Sequence, residues 1–572
     1  MSLFGSIQMA GNTLQAMQIG LHVVGNNIAN ANTPGYIRER VIYAPAPVQT
    51  IGTLTLGTGV KIAGIVQGID RFVEGRLRDA GSDRASAEVQ EKVYRDLELT
   101  LGELSDVDIS TALSKFFSSI DELTTTPENV AIRNLVIADG VTLTQRINTV
   151  ERRVRTIHQD FNSRVKNIST EINTLTEQIR KLNLQIVTTE GGGSTGSDAG
   201  ALRSQRNLAL KQLAEITNIT VNEQPTGTVN VSVNGEFLVF EGTRREVTTA
   251  LINENGLTRT EIRFVDNESP MVVSGGELQG IYKSRDSIVI GFLDGLDKFV
   301  STLAFEFNKI YSQGEGQVGF TSLTSVERVN DPDAVLNAAG LDFTPVSGHF
   351  TFKVGIKGSD PTDGQTNEYD IFIDLNGLDG DTTLTSLAST LNAINGVSAH
   401  VSINNELVIT ADSADVEFSF AGDTSGLLAA LGVNTFFTGS SARTLGVNQV
   451  LRTDVTAAKK FAASASGIGD NADNALRLIN LHDTALGSLD GGSITEVYGQ
   501  LINDTTQGAT VSVAVADGLR IFEGTLEAAV QAISGVSLDE EAIDMILLQR
   551  TYQASARYIA TLTDLMDLLV NL

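Results

Sequence analysis

The 572-residue chain has no cysteine, no tryptophan and only five histidines. Without cysteine there is no disulfide, no thiol nucleophile and no cysteine-ligated metal, and the redox compartment stays open. The histidines, at 22, 158, 349, 400 and 482, never fall at i, i+3 or i+4, so no local metal pair is encoded. Together with the missing tryptophan they weigh against a catalytic core, and no cofactor is expected. Formal charge is missing from the first 37 residues, the first charged side chain being Arg38. That stretch therefore lacks the positive region of a secretory signal. No apolar run approaches the roughly 18 residues a spanning helix needs. Where charge does occur it is mostly negative, 69 acidic against 41 basic residues for a net −28. Duplex nucleic acid and anionic membranes demand a basic surface, so neither nucleic-acid binding nor membrane insertion is expected.

What the chain does have is matched periodicity at its two ends. Apolar residues recur at Leu3, Ile7, Ala10, Leu14, Met17, Leu21, Val24 and Ile28, in alternating steps of four and three. The far end carries a second stripe at Met545, Leu548, Tyr552, Ser555, Ile559, Leu562, Met566 and Leu569. Each covers about 25 residues, or roughly 37 Å of helix. Two seams of equal length predict that the termini pair and that everything between them is inserted. Periodicity alone also admits, as the lesser reading, a long helical bundle with an ordinary core.

Between the ends, the first helix is predicted to stop at Asn26–Tyr36, where asparagines tolerate left-handed backbone and Pro34 forbids continuation. Residues 38–72 alternate with glycine punctuation and read as irregular β-structure. Helical patterning runs from about residue 82 to 217, broken by the glycine turn at 191–196. From 218 to 283 the period drops to two, with Asn234-Gly235 marking a two-residue hairpin turn. A helix is predicted over 286–312. Residues 331–442 are strand-rich and strongly acidic, with a second hairpin around 401–406. After residue 447 the pattern is helical, including a heptad frame through Val515, Leu519, Phe522, Leu526, Ala529, Ile533 and Val536. Ser537 and Glu540 have the spacing of a reciprocal capping box that restarts the last helix.

The fold class expected is therefore α+β: a long coiled-coil-like helical bundle formed by the N- and C-terminal parts, with inserted β-rich domains. The division expected is 1–37 with 536–572 as paired terminal helices. Residues 38–217, 284–330 and 443–535 form a helical rod domain with a short β segment. Residues 218–283 make a small β subdomain and 331–442 an outer acidic variable domain. An isolated pair of terminal helices should be marginal, because ordering about 50 residues costs an entropy similar to what their seam and backbone hydrogen bonds together recover.

Three short motifs resemble sites only in spelling. Gly314-Glu315-Gly316-Gln317-Val318-Gly319 matches the dinucleotide G-x-G-x-x-G string, but follows a helix rather than a strand. Gly192-Gly193-Ser194-Thr195-Gly196 has the letters of a nucleophile elbow without the preceding strand. Asp374–Asp381 is rich in carboxylates, but its loop positions 5 and 6 are Leu378 and Asp379 where a calcium-binding hand needs an oxygen ligand and glycine.

The stop segment carries a resemblance. Asn26, Asn27, Ile28, Ala29, Asn30, Asn32, Thr33, Gly35 and Tyr36 reproduce a pattern similar to the N-terminal signature of bacterial flagellar axial proteins, the rod, hook and hook-associated proteins. At the other end, Gly535–Glu541 with Gln549, Tyr552, Arg557 and the terminal Leu568–Leu572 resembles the hook-associated branch that joins hook to filament. Leu384–Thr410 also resembles a segment of flagellin and hook-associated outer domains. The resemblance implies a structural protein, not an enzyme, in the extracellular flagellum at the hook–filament junction, secreted by type III export. It implies as partners copies of the chain in the axial lattice, hook protein, the next hook-associated junction protein, and an export chaperone at the C-terminal region. Flagellar hook or another axial protein is the nearest alternative; a secreted stalked adhesin or enzyme is the remote one.

Overall fold

The computed structural model describes residues 3–51, 54–102, 108–194, 196–254, 256–357, 366–378, 380–465, 471–487 and 492–571. In chain order the elements begin with helix α1 (Leu3–Ala29) and strands β1 (Glu39–Pro45), β2 (Val48–Ile51), β3 (Leu54–Gly57) and β4 (Val60–Gln67). Helices α2 (Arg71–Leu101), α3 (Ile109–Thr125), α4 (Val130–Thr189) and α5 (Gly200–Ile216) follow. Then come β5 (Thr220–Glu223), β6 (Val229–Val233), β7 (Glu236–Phe240), β8 (Thr243–Arg244), β9 (Val247–Glu254) and β10 (Leu257–Phe264). Helices α6 (Gly276–Lys283) and α7 (Ile290–Tyr311) are joined through a π-helical turn, Ser284–Val289. The next strands are β11 (Ser322–Thr324), β12 (Gly348–Ile356), β13 (Asn367–Ile373), β14 (Val397–Val401), β15 (Leu407–Ala411) and β16 (Val416–Ala421), with α8 (Leu384–Asn392) before β14 and α9 (Leu427–Leu431) after β16. Two short strands, β17 (Phe437–Thr438) and β18 (Gly446–Val447), and helices α10 (Asp473–Asn480), α11 (Ile494–Ser534) and α12 (Leu538–Val570) complete the chain. No helix among the described residues is long and apolar enough to cross a membrane.

The chain forms two compact units, each assembled from separated segments. The first holds Met1–Val93, Gln159–Arg285 and Thr510–Leu572; the second holds Tyr94–His158 and Asp286–Ala509. In the first, the sheet β5-β6-β7-β8 and the ladder β9-β10 share a core with α4 and α5. Val231 and Val233 of β6, Leu238 of β7, and Ile168, Ile172 and Ile179 of α4 are buried there. The β6–β7 turn is Asn234-Gly235, both at positive φ (47° and 87°), as expected of the primed turn whose twist suits a hairpin.

In the second unit, the sheets β13-β12-β16 and β11-β15-β14 enclose a phenylalanine-rich core. Phe350, Phe352, Phe418 and Phe420 are fully buried, with ring centroids 5.3–6.2 Å apart among their contacting pairs. The Gly314–Gly319 loop packs within this unit rather than cradling phosphate. A Cβ on Gly316 would lie 2.5 Å from the Lys459 carbonyl, and one on Gly319 2.8 Å from that of Phe418.

Several expected boundaries move. α2 begins eleven residues before residue 82, at Arg71, and the helix expected over 286–312 starts at Gly276. The hairpin near 401–406 has a five-residue loop between Val401 and Leu407 instead of a tight turn. The heptad frame on α11 is also displaced. Within its later part the buried or half-buried positions are 512, 516, 519, 523, 526, 530 and 534, while Val515, Phe522 and Ile533 are exposed. Ion pairs explain the rotation: Glu523 meets Arg84, and Arg520 bridges Glu88 (2.9 Å) and Glu91 (2.6 Å), so this face is drawn onto α2. Leu526 packs there with Leu77 and Ala80. α11 thus has two apolar faces, and periodicity cannot tell which one a partner takes.

Candidate assembly site at the paired terminal helices

The helices α1 and α12 pack against each other within the first unit. They run antiparallel: Gly20 lies opposite Leu548, and Asn27, seven residues further on, meets Glu541, seven residues back. The contact face of α1 is set by small side chains. Its buried positions include Ala16, Gly20, Val23 and Asn27, one residue before the expected Met17, Leu21, Val24 and Ile28. One residue turns a helix by about 100°. A Cβ on Gly20 would stand 3.2 Å from both Leu548 methyl carbons and 2.6 Å from the Tyr43 hydroxyl. The missing side chain therefore lets the helices come close, and the small-residue spacing Ala16-x-x-x-Gly20 was the sequence signal for it.

Of the expected seam, Ala10, Val24 and Leu562 are buried. Leu3, Ile7, Leu14, Met17, Leu21 and Ile28 are half-buried on α1, as are Met545, Leu548, Ser555, Ile559 and Met566 on α12. Tyr552 is exposed and Thr551 takes its inward position. The Leu569 side chain lies outside the described residues, as do Leu572, Thr195 of the elbow-like string and Asp379 of the acidic run. α12 carries a second, exposed apolar stripe along the flank of the seam. Ile543, Leu547, Tyr558, Leu565 and Leu568 are all exposed, Leu547 by 61% and Leu568 by 64%.

The asparagine-rich segment closes the end of this pair. Asn27 is 1% exposed, and its carboxamide meets four partners. Its oxygen accepts from the Tyr36 hydroxyl (2.9 Å) and the Glu39 amide (3.0 Å). Its nitrogen donates to the Glu39 carbonyl (2.9 Å) and to the Glu541 carboxylate (3.0 Å). A buried amide with both donors and both acceptors used is stabilising, whereas the same group half-satisfied would cost about 1–3 kcal/mol. The neighbours fold the chain back to make this possible. Asn26 donates to the Tyr36 hydroxyl (3.3 Å). Asn30 donates to the Asn26 backbone and side-chain oxygens (3.0 Å each), and Thr33 to Asn30 (3.2 Å). Gly35 adopts φ +75°, a conformation that disfavours a side chain. Ile28 is half-buried, while Ala29 and Asn32 are exposed in the turn.

Electrostatics completes the joint. Arg38, the first charged residue of the chain, donates its backbone amide to the Ser534 carbonyl at the end of α11 (2.9 Å). Its guanidinium meets Glu541 (2.6 Å), Glu540 (2.9 Å) and Asp544 (3.6 Å) in the opening turns of α12. Glu541 is 1% exposed and held between Arg38 and Asn27. This corrects the expected capping box. The Ser537 hydroxyl does accept from the Glu540 amide, at 3.5 Å, but the Glu540 carboxylate turns to Arg38 instead of back to Ser537. Burial, followed by the nearby Glu39 and Glu541 carboxylates, raises the Tyr36 phenol well above its ordinary range, so it stays a hydrogen-bond donor. Burial likewise raises the Glu39 carboxyl.

Comparison with known proteins assigns these ends. Residues 7–36 match the model of flagella basal body rod proteins, and residues 529–572 match the C-terminal model of the rod and hook proteins FlgE, FlgF and FlgG. Those two segments are the α1 side and the α12 side of the joint, and both are similar to flagellar axial proteins. Residues 94–321 match the helical domain of the flagellar hook-associated protein FlgK. Along 99% of both chains the sequence is 24% identical to flagellar hook-associated protein 1 of Salmonella typhimurium and 25% identical to that of Escherichia coli. The Bacillus subtilis relative is 23% identical over all of this chain and 98% of its own. The fold is similar to that of the flagellar hook junction protein FlgK from Burkholderia pseudomallei, with TM-score 0.51 and 13% identity over 80% of this chain and 100% of that one. Over its full length the chain is thus similar to the flagellar hook-associated proteins.

Proposed function

We propose that the chain is a structural adaptor at the hook–filament junction of the bacterial flagellum, inserted into the axial lattice through its terminal helices. The observation that carries this reading is the double face of α12. One face meets α1, while Ile543, Leu547, Tyr558, Leu565 and Leu568 form a second, exposed stripe on its flank. A helix apolar on two sides is suited to burial by neighbours on both. Copies of the chain are the occupants we assign to the second stripe, with hook protein below and the next hook-associated protein above. The polar face of α1, with Gln8, Gln15 and Gln18 exposed and without formal charge, lets identical chains of net −28 approach. The acidic residues 331–442 are assigned to the solvent side of the polymer. The protein leaves the cell through type III export, with a chaperone at the C-terminal region, and acts as no enzyme.

Complementation tests the assignment. The full chain should restore filament attachment in a strain lacking its junction protein and fail to restore hooks in one lacking hook protein; the opposite pattern would overturn it. Circular dichroism of the dilute full chain against residues 38–535 tests whether the terminal pair becomes helical on assembly. Equal helical residue counts would support late folding, and a full helical increment from the termini in the monomer would refute it.

A further inference from the structure

In the first unit, α2, α5 and β5 surround a cavity of about 110 Å³ lined by Arg71, Arg78, Arg203 and Arg206, together with Glu74, Asp198 and Glu223. Four guanidinium groups meet these three carboxylates and the Glu190 carboxylate that Arg203 holds, so the cavity wall is balanced in charge within a chain whose net charge is −28. The donors are unevenly used. Arg203 is saturated, with Glu190 on Nε and Nη2 (2.6 and 2.8 Å) and Glu223 on Nη1 (2.5 Å). Arg206, 2% exposed, donates from Nη1 to Asn183 (3.1 Å) and to the Gly227 carbonyl (2.6 Å). Its Nε has no protein partner, and Nη2 has Glu223 only at 3.9 Å. Arg78, largely buried, pairs with Glu74 at 3.8 Å, too long for a hydrogen bond.

The carboxylates are less available than the guanidinium groups. Glu223 is held by Arg203 and by the exposed Arg71 (2.7 Å), and Asp198 accepts from the Gln67 amide (3.0 Å). Burial raises the Glu74 carboxyl, which weakens its claim on Arg78. A buried guanidinium with open N–H groups is costly unless it is hydrogen-bonded. Tetrahedral oxyanions match its planar fork, taking two N–H groups at once. A cavity of this volume suits one such ion.

We propose that this cavity binds a single small oxyanion of the phosphate or sulfate type, held by Arg78 and Arg206 with Arg71 as the exposed third contact, joining α2 and α5 of the first unit. The test uses the full chain titrated with inorganic phosphate at constant ionic strength, followed by calorimetry and thermal unfolding. Saturable binding of one phosphate per chain, competition by sulfate and a rise in Tm are expected. Arg78→Met should weaken binding about tenfold or more, as expected for loss of a charge-assisted fork. Arg71→Ala alters a residue 66% exposed, so it keeps the fold and should weaken binding by a smaller factor. Should Arg78→Met not fold, Arg71→Glu serves in its place and should abolish binding. No saturable heat from the wild-type chain, or binding unchanged in these variants, would overturn the proposal. The readout is independent of the junction assignment.

Discussion

Two regions of the molecule solve the problem of apolar surface in opposite ways. In the β-rich part of the second unit, Phe350, Phe352, Phe418 and Phe420 are fully enclosed by sheets and α8. In the first unit, α12 buries one narrow stripe against α1 and leaves a second open. The first region is a core that closes on itself. The second is a joint whose polar end is fully satisfied and whose flank is unfinished. The difference teaches where stability and where assembly reside: a region can be well determined by buried hydrogen bonds and still present an apolar surface to a neighbour.

The contrast can be broken most forcefully from the core side. Phe418→Ala should cost about 3–5 kcal/mol, because it removes a ring that contacts Phe320, Phe352 and Phe420. A shift of the denaturation midpoint measures it, and a shift near zero would mean that this core is not closed. Asn27→Ala comes next. It leaves the Tyr36 hydroxyl, the Glu39 backbone groups and buried Glu541 short of partners, for a loss of about 2–3 kcal/mol. Amide exchange in α1 should accelerate with it; unchanged protection would show that the joint does not depend on this amide.

The exposed flank should behave in reverse. Leu547→Ser and Leu565→Ser should each change the stability of the dilute chain by less than about 0.5 kcal/mol, yet together abolish incorporation at hook tips. Normal incorporation would show that the second stripe faces no neighbour. The smallest effect concerns pH. Glu39 has its carboxyl raised by burial, so its ionised form opposes folding. Below the unfolded-state value the group is protonated in both states and contributes nothing. As pH rises above that value the unfolded chain ionises first and stability is lost, until the folded-state value is passed. Glu39→Gln should therefore stabilise slightly at neutral pH, with the gain vanishing in acid, and a gain independent of pH would contradict this cause.

Much of the fold was legible because its signals are local. Asn234-Gly235 predicts a hairpin turn since both positions need positive φ, and the run through Pro34 ends α1 because the backbone there cannot continue as helix. The paired terminal helices were legible from heptads. Ala10 and Val24 of α1 are buried as expected. In its second half the buried face also includes the residues one position before the expected seam, because a count of large apolar side chains passes over Ala16, Gly20 and Asn27. Those residues make the contact by being small or by having every polar atom matched. On α11 the error had the same origin, and the deciding partners, Arg84, Glu88 and Glu91, lie more than 400 residues away in sequence.

The sequence by itself determined that the two ends are helices of matched length, where they stop, and the alternation of helical and β-rich segments between them. Those features rest on backbone sterics and on periods of 3.6 and 2, which act over a few residues. Only the tertiary structure decided which face of each helix is buried, that Glu540 pairs with Arg38 rather than closing its own cap, and that two pairs of arginines far apart in the chain line one cavity. Each of these depends on an electrostatic or steric partner supplied by a distant segment, and a pattern read along one helix contains no information about that partner.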